Sequence, residues 1–152
     1  MAETNSSQAA KIAAGNKLPP CDHGKLHTAV ITTPATFAQL AIDDTLAGGV
    51  FIPAGSRIVN ARISNGAGTA SSTLNVGLRK RSDGTVLSAT AISSLIAITS
   101  ATTIPTAAGN GAYIAAGVDQ VLAYDAEVYC TAKGAVLAAN QDVRVEIDYV
   151  GT

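Results

Sequence analysis

The sequence has few charged residues, few aromatic residues, no tryptophan and only two cysteines. Lysine and arginine together number 10 and aspartate and glutamate 11, which gives a formal net charge of −1. So balanced a charge excludes a broad electrostatic field that would capture nucleic acid or an anionic membrane. Hydrophobic residues make up 47% of the chain but aromatic residues only 4%, so the core must be built from small aliphatic side chains. We therefore expect recognition by shape and neither a nucleic-acid nor a membrane partner.

Long apolar runs are also missing. No stretch reaches the ~18 uncharged residues that a membrane-spanning helix needs, and the polar residues 1–16 lack the apolar centre of a signal peptide. Cys21 and Cys130 are too few for a disulfide scaffold, so we expect two reduced thiols, although one bridge between them stays possible. These absences predict a protein made and used in the cytoplasm.

The first 20 residues differ from the rest because they are rich in Ala, Ser, Asn and Gln and have few large side chains. We predict a flexible N-terminal arm over residues 1–20 and one β-sandwich domain over residues 21–152. The candidate partner-binding residues of this arm are Lys11, Ile12, Lys17, Leu18, Pro19 and Pro20. A short helix could form there on a partner, and a frayed terminus without a role is the alternative interpretation.

After the arm, apolar and polar residues alternate with period two, which is typical of strands with one buried face. The clearest alternation predicts three strands, at residues 57–64, 73–79 and 143–149. In the first strand we expect Val59, Ala61 and Ile63 to point inward, and in the second Leu74, Val76 and Leu78 inward with Asn75 and Arg79 outward. In the third we expect Val143, Val145, Ile147 and Tyr149 to point inward and Arg144, Glu146 and Asp148 outward. Weaker strand candidates are residues 27–33, 36–42, 49–52, 112–115, 120–124 and 127–132. Turn-forming pairs such as Asn65-Gly66 and Asp83-Gly84 separate them. The pattern predicts an all-β, antiparallel β-sandwich.

Residues 86–105 do not follow this alternation. Ala89, Ile92, Leu95 and Ile96 recur at helical spacing, but serine and threonine surround them. We therefore predict a long crossing loop with one helical turn between residues 86 and 105.

Candidate catalytic and metal-binding residues are few. Cys21, His23 and His27 place a thiol and two imidazoles close in sequence, but their spacing matches no standard zinc motif, which favours a solvated turn. Asp43 and Asp44 are adjacent and would point to opposite faces of a strand, so we expect a turn with two solvated carboxylates. No Gly-x-Ser-x-Gly nucleophile motif occurs. We predict a protein that is not an enzyme and that needs no metal or cofactor.

Three of the ten cations are consecutive, at Arg79, Lys80 and Arg81. The run lacks the interleaved aromatic residues of a single-strand nucleic-acid binder and precedes a turn. The run indicates a charged strand end, and the alternative interpretation is that it forms salt bridges at an interface.

Four segments carry a resemblance to a known family. The run LAGGVFIPAGSRIVNARI at residues 46–63, followed by TLNVGL at 73–78, resembles the head-decoration, or cement, proteins of tailed bacteriophages. EVYCTA at 127–132 and DVRVEIDY at 142–149 are similar to the closing hairpin of that domain. The resemblance covers residues 27–150 in outline and implies a jelly-roll-like sandwich on the capsid exterior, which binds the major capsid protein and stabilises the shell. It brings no catalytic residues.

The resemblance further implies a virion protein assembled in the cytoplasm of the bacterial host. We expect a homo-oligomer, a trimer or dimer placed over a local symmetry axis of the shell. The alternative function is a receptor- or glycan-binding domain of a phage tail fibre or spike. Such sites expose aromatic rings, and we expect Tyr149 and Phe51 to be buried. Capsid decoration is therefore the leading hypothesis.

Overall fold

The computed structural model describes residues 25–114 and 120–151, and within them the regular structure consists of eight strands. The strands are β1 (Leu26–Thr32), β2 (Thr45–Ile52), β3 (Arg57–Asn65), β4 (Thr73–Lys80), β5 (Val86–Ala97), β6 (Thr102–Ala107), β7 (Ala126–Lys133) and β8 (Val143–Val150). The all-β prediction is confirmed. Nothing in these residues forms a helix long and apolar enough to cross a membrane.

The eight strands pair as one long hairpin that has been rolled up. β1 pairs with β8, β2 with β7, β3 with β6 and β4 with β5, all antiparallel, so that each pair nests inside the one before it. Rolling adds the pairs β3–β8 and β4–β7. The result is two four-stranded sheets, a first sheet in the order β1-β8-β3-β6 and a second in the order β2-β7-β4-β5. This double-sheet arrangement is that of a jelly roll.

The core lies between the two sheets and consists of aliphatic side chains. The largest of its fully buried members are Ile52, Ile63, Leu74, Leu78, Ile92, Ile98, Leu122, Leu137, Ile147, Val76, Val128 and Val145. Val143, Val145 and Ile147 of β8 alternate with residues of the opposite face, as predicted. Burial of this many branched side chains, at about 1.5–3 kcal/mol for each one removed from water, is the main stabilising contribution to the fold.

A β-bulge in β3 changes which of its side chains point into the core. The pairing with β8 shifts between Ile58 and Asn60, so that one extra residue lies on β3. Ile58, only 3% exposed, enters the core in place of Val59, which is half-buried. The prediction that Val59 points inward is therefore wrong.

Two polar residues predicted on wet faces are buried instead. Asn75 is 5% exposed and lies opposite the bulged residues 94 and 95 of β5, and its Oδ1 accepts a hydrogen bond of 2.7 Å from the backbone N–H of Leu95. Asp148 is also 5% exposed, and its carboxylate accepts hydrogen bonds from Thr28 (2.7 Å) and from the Arg62 guanidinium. Both polar groups have the partners that burial requires.

The prediction of a loop with a helical turn over residues 86–105 is wrong, because this segment forms most of β5 and β6. Ser88 pairs with Leu78 and Ser93 with Val76, so residues 89–92 lie opposite the single residue Gly77. This wide bulge puts the consecutive residues 91 and 92 into the core, and it produces the spacing that resembles a helix.

The weaker strand candidates have mixed outcomes. Residues 49–52 and 127–132 lie in β2 and β7, as predicted, and residues 27–32 of the candidate at 27–33 lie in β1. The strands predicted at 36–42, 112–115 and 120–124 are wrong for their described residues, which contain isolated bridges at Leu40 and Val121 and a turn at 112–114. Leu122 is 2% exposed and Leu40 packs against the core, so single anchors under loops produced this apolar pattern.

Candidate functional site

One end of the sandwich gathers the ends of strands from both sheets. β1 begins there at Leu26, whose partner Val150 ends β8, and β2 passes into β3 through residues 53–56. The register of the second sheet sets Phe51 opposite Glu127 and Glu127 opposite Arg79. Three neighbouring strands therefore present one row of side chains at this end.

Three consecutive cations at this end each lie over an aromatic ring. The Arg79 Cζ lies 5.4 Å from the Tyr129 ring centroid, the Lys80 Nζ lies 4.1 Å from that of Tyr124, and the Arg81 Cζ lies 4.3 Å from that of Phe51. Each such contact at an exposed site contributes about 0.5–1 kcal/mol. The cationic groups are therefore held in fixed directions on the surface.

The three cations differ in their electrostatic partners. The Arg79 Nε donates a hydrogen bond of 2.7 Å to Glu127, which holds the pKa of that carboxyl below its ordinary value and raises the pKa of Arg79. In the described part of the chain, no carboxylate forms a salt bridge with Lys80 or Arg81. Arg79 thus joins β4 to β7 through a salt bridge, whereas Lys80 interacts with Asp83 at longer range and Arg81 forms no salt bridge within the described residues.

A shallow cleft of about 410 Å³ lies beside these cations and is lined by Arg81, Ser82, Tyr124 and Asp125. Asp125 fixes its wall, because Asp125 Oδ1 accepts a hydrogen bond of 2.9 Å from Ala54 N–H and its backbone carbonyl accepts one of 2.9 Å from Arg81 N–H. The cleft therefore presents a guanidinium, two hydroxyl groups and a carboxylate in a rigid arrangement. Such a set can donate and accept hydrogen bonds to a polar ligand.

Exposed apolar side chains lie at the same end as the cations. Of the nine large apolar side chains exposed in the described residues, five lie at this end, namely Leu26, Phe51, Val86, Val121 and Tyr124. Phe51 is 39% exposed because β2 is an edge strand and this ring lies on its outer face. The expectation of a buried Phe51 is wrong, whereas Tyr149 is half-buried and stacks on His27 at a centroid distance of 5.3 Å. An apolar cluster of this kind marks an interaction surface.

The charges of the described residues divide between the two ends. The end just described carries more cations than carboxylates, namely Lys25, Arg57, Arg79, Lys80 and Arg81 against Asp83, Asp125 and Glu127. The opposite end carries more carboxylates, namely Asp43, Asp44 and Asp142 against Lys133 and Arg144. We call these the cationic end and the acidic end. The small net charge of the sequence conceals this polarity.

The arm residues predicted to bind a partner lie outside the described residues; they are Lys11, Ile12, Lys17, Leu18, Pro19 and Pro20. Cys21 and His23 lie outside them too, while His27 is exposed in β1. Within residues 25–114 and 120–151, no group of three or more His, Cys, Asp or Glu side chains could hold a metal ion. Because β1 begins at the cationic end, the preceding residues join the domain at that end.

Other sequence predictions concern charged turns. The Arg79 to Arg81 run is a charged strand end, as predicted, since β4 ends at Lys80. Asp43 and Asp44 do lie in an exposed turn, where Asp44 Oδ2 accepts a hydrogen bond of 2.9 Å from a backbone N–H and Asp43 pairs with Lys133.

No protein-family model matches this sequence, and no curated protein matches it either. Solved structures are similar in fold. One is a chain in the capsid of Ralstonia phage GP4, with 15% sequence identity and a TM-score of 0.64 over 90% of each chain. Another is a chain in the capsid asymmetric unit of cyanophage Pam1, with 17% identity and a TM-score of 0.53 over 100% of both chains. At these identities the likeness establishes the shared fold.

Proposed function

We propose that this chain is a decoration, or cement, protein of a bacteriophage capsid, which binds the outer surface of the major capsid protein shell and stabilises it. The observation that carries the proposal is the fold likeness to a chain in a phage capsid, over 90% of both chains. The similarity in fold therefore covers most of both chains and is not confined to one subdomain. The resemblance of residues 46–63 and 73–78 to the head-decoration proteins of tailed bacteriophages supports the same assignment.

The physical properties of the sandwich suit this function. A shell under internal DNA pressure gains strength when rigid modules bridge neighbouring subunits, and many copies combine weak contacts into strong attachment. Aliphatic packing and buried, hydrogen-bonded polar groups such as Asn75 and Asp148 give the module one fixed shape. A rigid module of this kind transmits load without needing a catalytic centre.

Attachment and location follow from the same proposal. The candidate contacts in the arm are the residues from Lys11 to Pro20 already named, which would order on assembly and cover surface at low affinity per unit area. The protein would act as a trimer or dimer over a local symmetry axis. It would be located on the capsid exterior after assembly in the bacterial cytoplasm.

The test is to mix purified protein with undecorated capsids. We expect saturable binding and a higher melting temperature of the capsid. A variant without residues 1–20 should bind more weakly while its own melting temperature stays unchanged. The absence of saturable binding by the complete chain would exclude the proposal.

One observation favours the alternative function, a receptor- or glycan-binding domain of a tail fibre or spike. Tyr124 is 51% exposed and lines the cleft together with Arg81, Ser82 and Asp125, and aromatic rings stack on sugars. Glycan-array binding that Tyr124→Ala abolishes, together with no binding to capsids, would favour this alternative over capsid decoration.

A further inference from the structure

We propose that the cationic end is the docking face of the protein and that it binds a carboxylate-rich patch of a protein partner. The inference rests on the proposed function and deepens it, because the sandwich then stands on the capsid shell with its acidic end pointing away. It names an orientation, a contact surface and the chemistry of the surface on the shell.

Charge is the first argument for an acidic partner. Lys80 and Arg81 form no salt bridge with a carboxylate among the described residues, although Asp83 interacts electrostatically with Lys80, and each cation lies over a ring, at 4.1 Å and 4.3 Å. Stacking occupies the face of a guanidinium but leaves its N–H edge able to donate two parallel hydrogen bonds. Charge-assisted bonds of this kind to carboxylates are about twice as strong as neutral ones. The surface is thus preorganised for carboxylates.

The apolar side chains supply the second argument. Phe51 and Tyr124 are 39% and 51% exposed beside the cations, and Leu26, Val86 and Val121 are exposed at 55% or more. Interface centres are enriched in aromatic residues and arginine, which carry most of the binding energy when they are desolvated. A protein partner can cover apolar and charged groups together, whereas a sugar uses few exposed aliphatic side chains.

Other occupants fit this end less well. Residues 1–24 of the chain carry Lys11 and Lys17 against Glu3 and Asp22, so they offer no excess of carboxylates. The acidic end of a second copy would complement the cationic end, but a head-to-tail contact between opposite ends continues into an open filament unless its rotation closes a ring.

A nucleic acid is disfavoured for an electrostatic reason. The carboxylates of Asp83, Asp125 and Glu127 are interspersed with the cations and would repel a continuous row of phosphates. Discrete carboxylates on a protein can avoid them.

The path of the chain is the third argument. Leu26 pairs with Val150 at the cationic end, so the residues that precede β1 are attached there. An arm and a docking face on the same end can contact one partner together, and the second contact then forms at a high effective concentration.

The closing experiment compares two double charge reversals. The test variant carries Lys80→Glu and Arg81→Glu at the cationic end. The matched control carries Lys133→Glu and Arg144→Glu, two cations that are 36% and 49% exposed and lie away from that end. Thermal unfolding first verifies that both variants fold, and titration onto undecorated capsids at several salt concentrations then gives the dissociation constants.

The test variant should bind at least about tenfold more weakly, with a smaller salt dependence, and the control should stay within about twofold of the unmodified protein. If the unmodified protein does not bind capsids, the proposed function fails and this inference fails with it. If the unmodified protein and both variants bind equally, the function stands and the inference alone is overturned.

Cross-linking identifies the group that the shell contributes. A carbodiimide condenses an ammonium with a carboxylate into an amide and takes up the water that is lost, so Lys80 should be found linked to a capsid peptide by mass spectrometry. Links from Lys133 without any from Lys80 would contradict the orientation. Loss of binding to heparin or to oligothymidylate in the test variant, with capsid binding unchanged, would overturn the inference by assigning this end to an anionic polymer.

Discussion

Asn65 offers the sharpest test of how the corners of this sandwich are held together. It ends β3, is 6% exposed, and its Nδ2 lies within hydrogen-bonding distance of the carbonyls of Gly66 (2.8 Å), Ile98 (3.2 Å) and Ser100 (2.8 Å). Its Oδ1 accepts a hydrogen bond of 2.7 Å from Thr102 Oγ1. One amide therefore joins the β3–β4 corner to the β5–β6 connection.

Asn65→Ala removes all of these hydrogen bonds, but two of the groups that Asn65 contacts keep another hydrogen-bond partner. The carbonyls of Gly66 and Ile98 keep hydrogen bonds from Gln141 Nε2, at 3.2 Å and 2.9 Å. The Ser100 carbonyl and the Thr102 hydroxyl lose their partner. With a net value near 1 kcal/mol for each of the four hydrogen bonds, two of whose acceptors keep another donor, we expect the free energy of unfolding to fall by about 2–4 kcal/mol.

Urea unfolding, followed by two probes, measures this change. Asn110→Ala is the matched control, because Asn110 makes two backbone hydrogen bonds to Ser94, at 2.7 Å and 3.0 Å, on an exposed site. It should lose less than about 1 kcal/mol. Asn65→Asp should be no more stable than Asn65→Ala, since a carboxylate oxygen would then face backbone carbonyls. An Asn65→Ala variant as stable as the Asn110→Ala control would refute the reasoning.

Three further predictions concern β2 and β7. Gly48→Ala should lower the free energy of unfolding by about 1–3 kcal/mol, because an added Cβ meets the β7 backbone. Gly49 has open space around it and a φ of 61°, so Gly49→Ala should lower the free energy of unfolding only by the left-handed backbone strain, about 1–2 kcal/mol. Melting temperatures of both variants equal to that of the unmodified protein would contradict both expectations. Burial raises the pKa of Cys130 to about 12, so in a Cys21→Ser background iodoacetamide should modify Cys130 no faster than the protein unfolds, and rapid alkylation would be the opposite result. The hydrogen bond from Arg79 holds the pKa of Glu127 below 4.5, so the ionised carboxylate stabilises the fold above pH 4.5. This contribution is lost as the pH falls through the lowered pKa of Glu127 in the folded protein. Acid titration of stability should show a smaller loss below pH 4.5 for Glu127→Gln than for the unmodified protein, and identical curves would contradict the assignment.

Most of the fold could be predicted from alternation, and the errors have local causes. β8 alternates cleanly because all of its pairings run in unbroken register with β1, so Val145 and Ile147 were placed correctly. β5 was missed because its bulge opposite Gly77 destroys the period of two. A sequence carries no direct mark of how many residues one strand inserts opposite another.

Burial on the outer faces was equally hard to predict. Asn75 and Asp148 alternate in phase with solvent-facing neighbours, but Asn75 lies against a bulge of β5 and Asp148 pairs with Arg62, so both are buried. Phe51 had the opposite outcome, since an aromatic residue in an apolar run lies on an outer face.

The cationic end shows why the site itself escaped prediction. The run of Arg79, Lys80 and Arg81 was visible, but the rings beneath these cations come from β2, from β7 and from the loop before β7. Only the strand order brings these distant segments together. Aromatics interleaved in sequence were the signal that was sought, whereas the fold interleaves them in space.

The nested pairing of the strands also bears on how the chain reaches its folded state. β4 and β5 adjoin in sequence and can close first as a local hairpin, after which each outer pair must enclose a longer loop, up to the pair of Leu26 with Val150. Nonlocal pairing of this kind slows folding. During synthesis β1 leaves the ribosome first and waits longest, since its partner is the last strand to emerge.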